Sequence, residues 1–444
     1  MTARSARSSR AALATAIALL VLIPSLGVAQ KPIPIRQLGP IEATSTDSVG
    51  FLYGVRELPG RRLLANDAGA RRLVLFDASL ARVKIAADSM SGSPSPYGKR
   101  PTGIIAYRGD TTLLVDAAAR AFVMIDAKGD VVGVMSPPRA NDVQSMVNPG
   151  FGAPGLDARG RLIYRGQIAM TMKPPAAGTA FTPPEIPDTV PIVRADFDTR
   201  AADTLGWLRV PKIRVATTTL ENGALSMRAM LNPVSFIDDW AMLPDGSVAI
   251  LRGRDYHIDW INADGSRVSS PKMPFDWKHL TDEDKAALID STKKAVAAAF
   301  AGGGGAAAAG TRVDLGMSGH SMTVMKVDAS DGGPAPRSSH SATPEVANSP
   351  PDIVPPGDLP DYMPPVLRSG TMMADPAGRV WILPSTSAHA AGGLLYDVID
   401  RKGEIVQRVR IPAGRALVGF GADGAVYLTR RDASGTHIER ARIE

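Results

Sequence analysis

The chain has 444 residues, no cysteine and a formal net charge of +6 at pH 7. Without cysteine, disulfides, thiolate zinc sites and cysteine nucleophiles are excluded. The charge is small for this length, so it gives no support to nucleic-acid binding.

The first predicted element is a secretory signal peptide over residues 1–29. Three arginines precede an apolar run over residues 11–26, and small residues suit cleavage after Ala29. The alternative is an uncleaved anchor, because the run is long enough to span a bilayer marginally. Cleavage would remove the three arginines and lower the net charge from +6 to +3. The sequence therefore predicts an exported protein, periplasmic or secreted, with no transmembrane segment after cleavage.

Residues 30–444 repeat one phrase: an apolar run, a turn with glycine, and a second apolar run. The clearest copy is "WAMLPDGSVAILRG" from Trp240. Glycine suits such a hairpin turn because it accepts positive φ. The aligned turn glycines are Gly60, Gly109, Gly160, Gly246, Gly378 and Gly424.

These glycines are 49, 51, 86, 132 and 46 residues apart. The short spacings match the period of a four-stranded propeller blade, about 45–50 residues, and the long ones indicate insertions. Each module is interpreted as strands A, B, C and D, with a second turn between C and D. The residues that mark this second turn are Phe76-Asp77, Ile125-Asp126, Phe197-Asp198, Ile261-Asn262 and Ile399-Asp400. The predicted fold is all-β, a six-bladed β-propeller.

The sixth module is too short to supply its own strand D, since five residues follow Glu439. The strand-like segment "IPIRQLG" from Ile33 is unassigned, so we expect it to pair into the last blade and close the ring.

The phrase "LPDGSVAILRGRDYHIDWINADGSRV" from Leu243 resembles six-bladed propellers of the NHL-like and TolB-like kind, many of them exported bacterial proteins. The resemblance extends from about Ile33 to Glu444 without the insertions, and it implies an architecture. It does not imply an activity, because such folds host binding proteins, scaffolds and hydrolases.

Insertions are predicted at one face, where B–C loops and D–A links meet. They comprise residues 166–191, the loop "PSTSAHAAGG" from Pro384, and residues 275–368 between blades 4 and 5. In the last, a helix is expected over about 281–301 with Thr281 as N-cap, and disorder over about 302–356. Ile289, Val296 and Phe300 share one helix face, which is expected to pack against the propeller.

Arginines at the ends of B strands are the candidate ligand-binding residues. Arg165, Arg252 with Arg254, and Arg430 occupy equivalent positions, so they would form a basic rim suited to an anionic group. The alternative is that each pairs with a local acid such as Asp255 or Asp432, or is solvated. Tyr362, in the segment "LPDYMPPVL", is a further candidate for the same face.

Blades 1 and 2 carry Asn66, Asp67 and Asp116 where blades 3, 4 and 6 carry arginine. These side chains are interpreted as turn caps. A resemblance to lactonase-type propellers would imply a divalent cation in the channel, but its ligands have no residue-by-residue match here. No catalytic residue, metal ligand or cofactor is therefore assigned.

Two functions follow from these patterns. The main hypothesis is an exported, monomeric, non-enzymatic propeller that binds a small anionic ligand or an envelope protein. The alternative is a metal-dependent lactonase or esterase acting in the central channel. A structural role in an envelope complex is a third possibility.

Overall fold

The computed structural model of the chain describes residues 32–89, 97–98, 102–168, 186–219, 225–301 and 351–444. In these ranges the protein is mostly β, with one α-helix and short 3-10 helices. No helix in the described ranges is long and apolar enough to cross a membrane. The proposed signal peptide and the segment expected to be disordered lie almost entirely outside the described residues.

The strands begin with β1 (Ile35–Gln37), β2 (Ala43–Thr44), β3 (Leu52–Leu58), β4 (Arg62–Asp67), β5 (Arg72–Phe76), β6 (Arg82–Asp88), β7 (Ile104–Ala106), β8 (Thr112–Asp116), β9 (Ala121–Ile125) and β10 (Val131–Met135). They continue with β11 (Gly155–Leu156), β12 (Leu162–Arg165), β13 (Thr189–Ala195), β14 (Ala202–Arg209), β15 (Arg214–Thr219), β16 (Leu225–Leu231), β17 (Asp239–Met242), β18 (Val248–Arg252), β19 (His257–Ile261) and β20 (Arg267–Ser269). Helix α1 (Asp282–Ala301) precedes β21 (Asp352–Ile353), β22 (Met373–Ala374), β23 (Val380–Ile382), β24 (Gly393–Ile399), β25 (Ile405–Pro412), β26 (Arg415–Phe420), β27 (Ala425–Asp432) and β28 (Gly435–Arg442). The 3-10 helices are Pro59–Arg61, Ala140–Met146, Pro149–Phe151, Pro356–Asp358, Ser385–His389 and Ala422–Gly424.

Most strands form antiparallel sheets of four, as expected for a propeller. Sheets 1 to 4 consist of β3–β6, β7–β10, β11–β14 and β17–β20, and sheets 5 and 6 are built on β22–β25 and β26–β28. The repeated phrase is the first hairpin of each sheet. Its turn glycines adopt positive φ, for example 76° at Gly160 and 82° at Gly246.

In sheets 1 to 5 the second turn is held by an acidic side chain. Asp77, Asp126 and Asp400 each accept backbone hydrogen bonds within their turns. In sheet 3 the predicted landmark is wrong by two residues. Strand β13 ends at Ala195, so Asp196 fills this role and accepts from the backbone N–H of Asp198.

The core is a set of apolar layers between consecutive sheets. Leu64 and Leu114 belong to the layer between sheets 1 and 2, and similar layers follow between sheets 2 and 3, 3 and 4, 4 and 5, and 5 and 6. A sixth layer packs Tyr427 of sheet 6 with Phe76 of sheet 1. The first strands are neighbours as well: β26 contacts β3, β3 contacts β7, β7 contacts β11, and β17 contacts β22.

The predicted N-terminal segment pairs with two sheets. Its end meets the last residues of the chain as expected, where Leu38 forms an antiparallel bridge with Ile443 and the N–H of Gly39 donates to the carbonyl of Arg442. Its first part pairs elsewhere. Strand β1 lies parallel to β25, with Arg36 opposite Val409, so it is a fifth strand of sheet 5. The fourth strand of sheet 6 is β2, which pairs with β28. Two outer edges were open to this segment, β25 and β28, and the apolar pattern alone could not distinguish between them.

The inserted segments combine into an accessory unit that the sequence did not predict. Hairpin β15–β16, in the link from sheet 3 to sheet 4, pairs with β21, in the link from sheet 4 to sheet 5. Helix α1 covers this small sheet: Ile289 packs with Val354 and Leu359. The expectation that this helix face packs on the propeller is therefore wrong for Ile289, which packs on the accessory unit.

The helix begins where the sequence indicated. Thr281 Oγ1 accepts from the backbone N–H of Asp284 at 3.2 Å, and Asp284 accepts from the backbone N–H of Thr281 at 3.2 Å. This reciprocal pair is a capping box, which satisfies donors that the first turn leaves free.

Candidate anion-binding site

Arg165 ends strand β12, the second strand of sheet 3, and is only 8% exposed. Within the described ranges, no acidic side chain forms an ion pair with its guanidinium. Burial lowers its pKa to about 10, and the nearby Asp239 opposes this shift. The group is therefore protonated at neutral pH, and it is a buried cation without a salt-bridge partner in the described ranges.

The strand register explains the missing partner. In sheets 4 and 6, an arginine at or near the end of the second strand pairs with an acid on the third strand, Arg252 with Asp259 and Arg430 with Glu439. In both sheets the acid lies two residues beyond the residue opposite the arginine. Arg165 lies opposite Ile192, so the corresponding residue of sheet 3 is Arg194. Arg194 carries the same charge as Arg165 and pairs with Asp203 at 2.6 Å.

Phe151 supplies one wall of the site. The guanidinium carbon of Arg165 lies 4.2 Å from the centre of the Phe151 ring, a cation–π distance. The ring is held by the 3-10 helix Pro149–Phe151, whose N-cap Asn148 accepts from the N–H of Gly150. The carbonyl of Phe151 also accepts from Trp240 Nε1 at 2.8 Å, which ties this turn to sheet 4.

Asp239 lies at the start of β17 and is fully buried. Its carboxylate accepts four backbone N–H groups, from Trp240, Gly370, Thr371 and Met372, each at 2.9 Å. It thereby joins the first strand of sheet 4 to the segment that leads into sheet 5. Burial raises its pKa to about 6, although the N–H groups favour the ionised form.

We call Arg165, Phe151 and Asp239 the Arg165 site. Elements of sheets 3, 4 and 5 meet here, at the end where second strands finish and first strands begin. The Arg165 guanidinium has donors for a carboxylate, phosphate or sulfate, and the low local dielectric strengthens such an interaction.

The other candidate arginines differ from Arg165. Arg252 donates from Nη1 to Asp238 at 2.7 Å and from Nε to Asp259 at 2.6 Å, so its guanidinium is already engaged. Arg430 pairs with Asp432 at 2.8 Å and with Glu439 at 3.1 Å. These contacts match the alternative in which each arginine pairs with a local acid. Arg430 pairs with the expected Asp432, whereas Arg252 pairs with Asp238 and Asp259 and not with Asp255.

Arg254 and Tyr362 are both exposed. Arg254 lies just beyond β18 with its side chain in solvent. Tyr362 is 46% exposed, and its ring stands edge-on to that of His279, with the ring centres 5.2 Å apart. The structure places neither of them in contact with the Arg165 site.

The acidic candidates serve as turn residues. Asp67 accepts from the N–H groups of Gly50 and Ala70 and pairs with Arg72, while Asp116 accepts from the N–H of Ala118. Asn66 is buried and donates to the carbonyl of Thr102.

A divalent cation needs several oxygen ligands that converge on one point. Within the described ranges, no group of three or more His, Asp or Glu side chains could hold a metal ion. Arg165 moreover places a positive charge at this end of the sheets. The described residues of this site therefore do not fit such a cation.

Sequence reasoning identified Arg165 but missed Phe151 and Asp239. The pair Asp238-Asp239 directly before the repeated phrase was an available signal, since the other copies have no acidic pair there. Nothing in the sequence points to Phe151, because its role depends on the 3-10 turn that places it.

No protein-family model matches the chain, and no curated protein matches its sequence. Solved structures that are similar include a gluconolactonase from Xanthomonas campestris, at 11% identity and a TM-score of 0.39, over 91% of this chain and 98% of that one. A protein from Bacteroides fragilis that is named as exported is 11% identical, with a TM-score of 0.40, over 92% and 93%. The calcium-binding protein regucalcin from Agrobacterium tumefaciens is 9% identical, with a TM-score of 0.32, over 92% and 96%.

Proposed function

We propose that this chain is an exported six-bladed propeller that binds a small anionic ligand at the Arg165 site. The six sheets and the six apolar layers, one of them between sheets 6 and 1, support the blade count. Strand β2 comes from the N-terminal part of the chain and completes sheet 6, which supports closure of the ring.

The observation that carries the binding function is that the buried Arg165 has no ion-pair partner among the residues that the structure describes. A cation that is more than nine-tenths buried is costly unless something offsets its desolvation. Asp239 offsets part of this cost at a distance, but its oxygens are engaged by backbone donors. A bound anion would complete the site.

The test compares Arg165→Ala and Arg165→Lys with Arg254→Ala, which removes the same charge from an exposed position. Calorimetric titration with sulfate, phosphate, citrate and benzoate covers the anionic groups that a guanidinium binds. We expect at least one of these anions to bind the unmodified protein. Arg165→Ala should weaken the binding of that anion tenfold or more, which corresponds to about 1.4 kcal/mol. Arg254→Ala should leave the affinity unchanged.

Unaltered binding by Arg165→Ala, with a melting temperature like that of the unmodified protein, would contradict the proposal. So would the failure of all four anions to bind the unmodified protein. Arg165→Lys keeps the charge without the planar fork, so intermediate affinity would indicate recognition of a bidentate group.

The pH dependence of sulfate binding provides a second test. Since the pKa of Asp239 is about 6, its negative charge is lost as the pH falls from 7.5 to 5. Sulfate remains dianionic over this range, so we expect its affinity to rise severalfold towards pH 5. Calorimetry at both pH values measures this. An affinity that is flat or falls towards pH 5 would show that Asp239 does not act on the bound anion.

A second candidate is a hydrolase of a small lactone or ester. Hydrolysis of such a substrate releases a carboxylate, which is a group that Arg165 suits. Gluconolactonase is the activity named for one of the similar structures. Acid release from gluconolactone, followed with and without added Ca²⁺, separates the two functions. Turnover that Arg165→Ala reduces would favour the hydrolase, and binding without turnover would favour the binding protein.

A further inference from the structure

A cavity of about 230 Å³ lies beside the loop of sheet 5 that contains Pro384. One wall is the segment that leaves sheet 4, Pro274–Asp276, and the other is the loop of sheet 5 that contains Pro384. Its floor is formed by Leu395, Asp397 and Arg408, from β24 and β25. We call it the rim pocket. It shares no residue with the Arg165 site.

The floor of the rim pocket holds a fixed guanidinium. Asp397 is buried and accepts from Tyr256 Oη at 2.7 Å and from Arg408 Nε at 2.8 Å. These contacts fix Arg408 by its Nε atom. Its two terminal nitrogens make no hydrogen bond or ion pair with any residue in the described ranges. A carboxylate could therefore bind to both terminal nitrogens at once.

The wall of the pocket carries the opposite charge. Asp276 is exposed and has no ion-pair partner among the described residues. Next to it, the Phe275 ring is held between aromatic neighbours, 5.2 Å from the Tyr256 ring and 5.1 Å from the Trp277 ring. The cavity thus combines a carboxylate, an arginine fork and rigid apolar walls.

We propose that the rim pocket binds a free α-amino acid with an apolar side chain. The ammonium group would pair with Asp276, the carboxylate would pair with Arg408, and the side chain would lie against Phe275 and Leu395. Pockets for drug-sized ligands measure roughly 300–1,000 Å³. The rim pocket, at about 230 Å³, is smaller and therefore suits a ligand of the size of an amino acid. A zwitterion also leaves the charge balance between Arg408 and Asp397 intact.

The experiment titrates the full chain with L-leucine and L-phenylalanine by calorimetry. Isoamylamine and 4-methylpentanoate test the two halves of leucine separately. We expect one of the two amino acids to bind, and for leucine both half-ligands to bind at least tenfold more weakly. Asp276→Asn should weaken amino-acid binding tenfold or more. Asp264→Asn, an exposed aspartate in the second turn of sheet 4, is the matched control and should have no effect.

The second variant is Arg408→Lys, which keeps a cation for Asp397 but loses the fork. It should weaken the amino acids and leave isoamylamine unaffected. Arg165→Ala should leave amino-acid binding unchanged, so failure at one site is distinguishable from failure at the other. The proposal is overturned if neither amino acid binds, or if Asp276→Asn binds them like the unmodified protein.

Discussion

Replacing Asp239 with alanine is expected to lower the free energy of unfolding by at least about 3 kcal/mol. The variant leaves four backbone N–H groups without their acceptor in a site that water does not reach. Each unsatisfied buried donor costs roughly 1–3 kcal/mol. The loss would also separate β17 from the segment entering sheet 5, so packing between these sheets should weaken. Urea denaturation followed by tryptophan fluorescence measures the change.

Asp126→Ala is the matched control for this prediction. Asp126 also accepts two backbone N–H groups, from Lys128 and Asp130, but near the surface, where water replaces the carboxylate. It should shift the unfolding midpoint by only a small part of the Asp239→Ala effect. Equal shifts in the two variants would refute a structural role for the buried carboxylate.

Gly253→Ala is expected to be the most damaging glycine substitution in the repeated phrase, at about 3 kcal/mol of stability. A Cβ atom at this position would lie 1.9 Å from the carbonyl oxygen of Ile237, which is backbone and cannot rotate away. The N–H of Gly253 also donates to Asp238, the partner of Arg252, so a shift here would disturb that ion pair. Thermal unfolding of the variant measures the loss.

Gly357→Ala is the control, because a Cβ atom there meets no other atom within 4 Å. Its melting temperature should stay close to that of the unmodified protein. If Gly253→Ala melted at the same temperature as Gly357→Ala, the close approach of Gly253 to Ile237 would not be a stability determinant.

The arginines illustrate how far a sequence can be interpreted. The repeat predicted that these arginines occupy equivalent positions, because the pattern of the first hairpin shows about where its second strand ends. Whether each one is free depends on the third strand. Asp259 and Glu439 neutralise two of them, whereas Arg194 stands at the corresponding place in sheet 3. Those residues are between 7 and 29 positions away along the chain and become neighbours only through the strand register.

The sequence by itself determined the elements that local chemistry controls. Asp-Gly and Arg-Gly turns, alternation in the strands, and the Thr281 cap with acidic residues behind it indicated the hairpins and the helix α1. These signals are contained in a few consecutive residues, because turn geometry and capping are local properties.

Tertiary structure alone decided which edge each extra strand covers and which of the arginines has an ion-pair partner among the described residues. Strand β1 pairs with sheet 5 and β2 with sheet 6, and two distant links meet to form the accessory sheet under α1. The Arg165 site and the rim pocket both lie where segments far apart in the chain converge. Such contacts depend on packing between sheets, which no local pattern encodes, and for this reason Phe151 and Arg408 emerged only from the folded molecule.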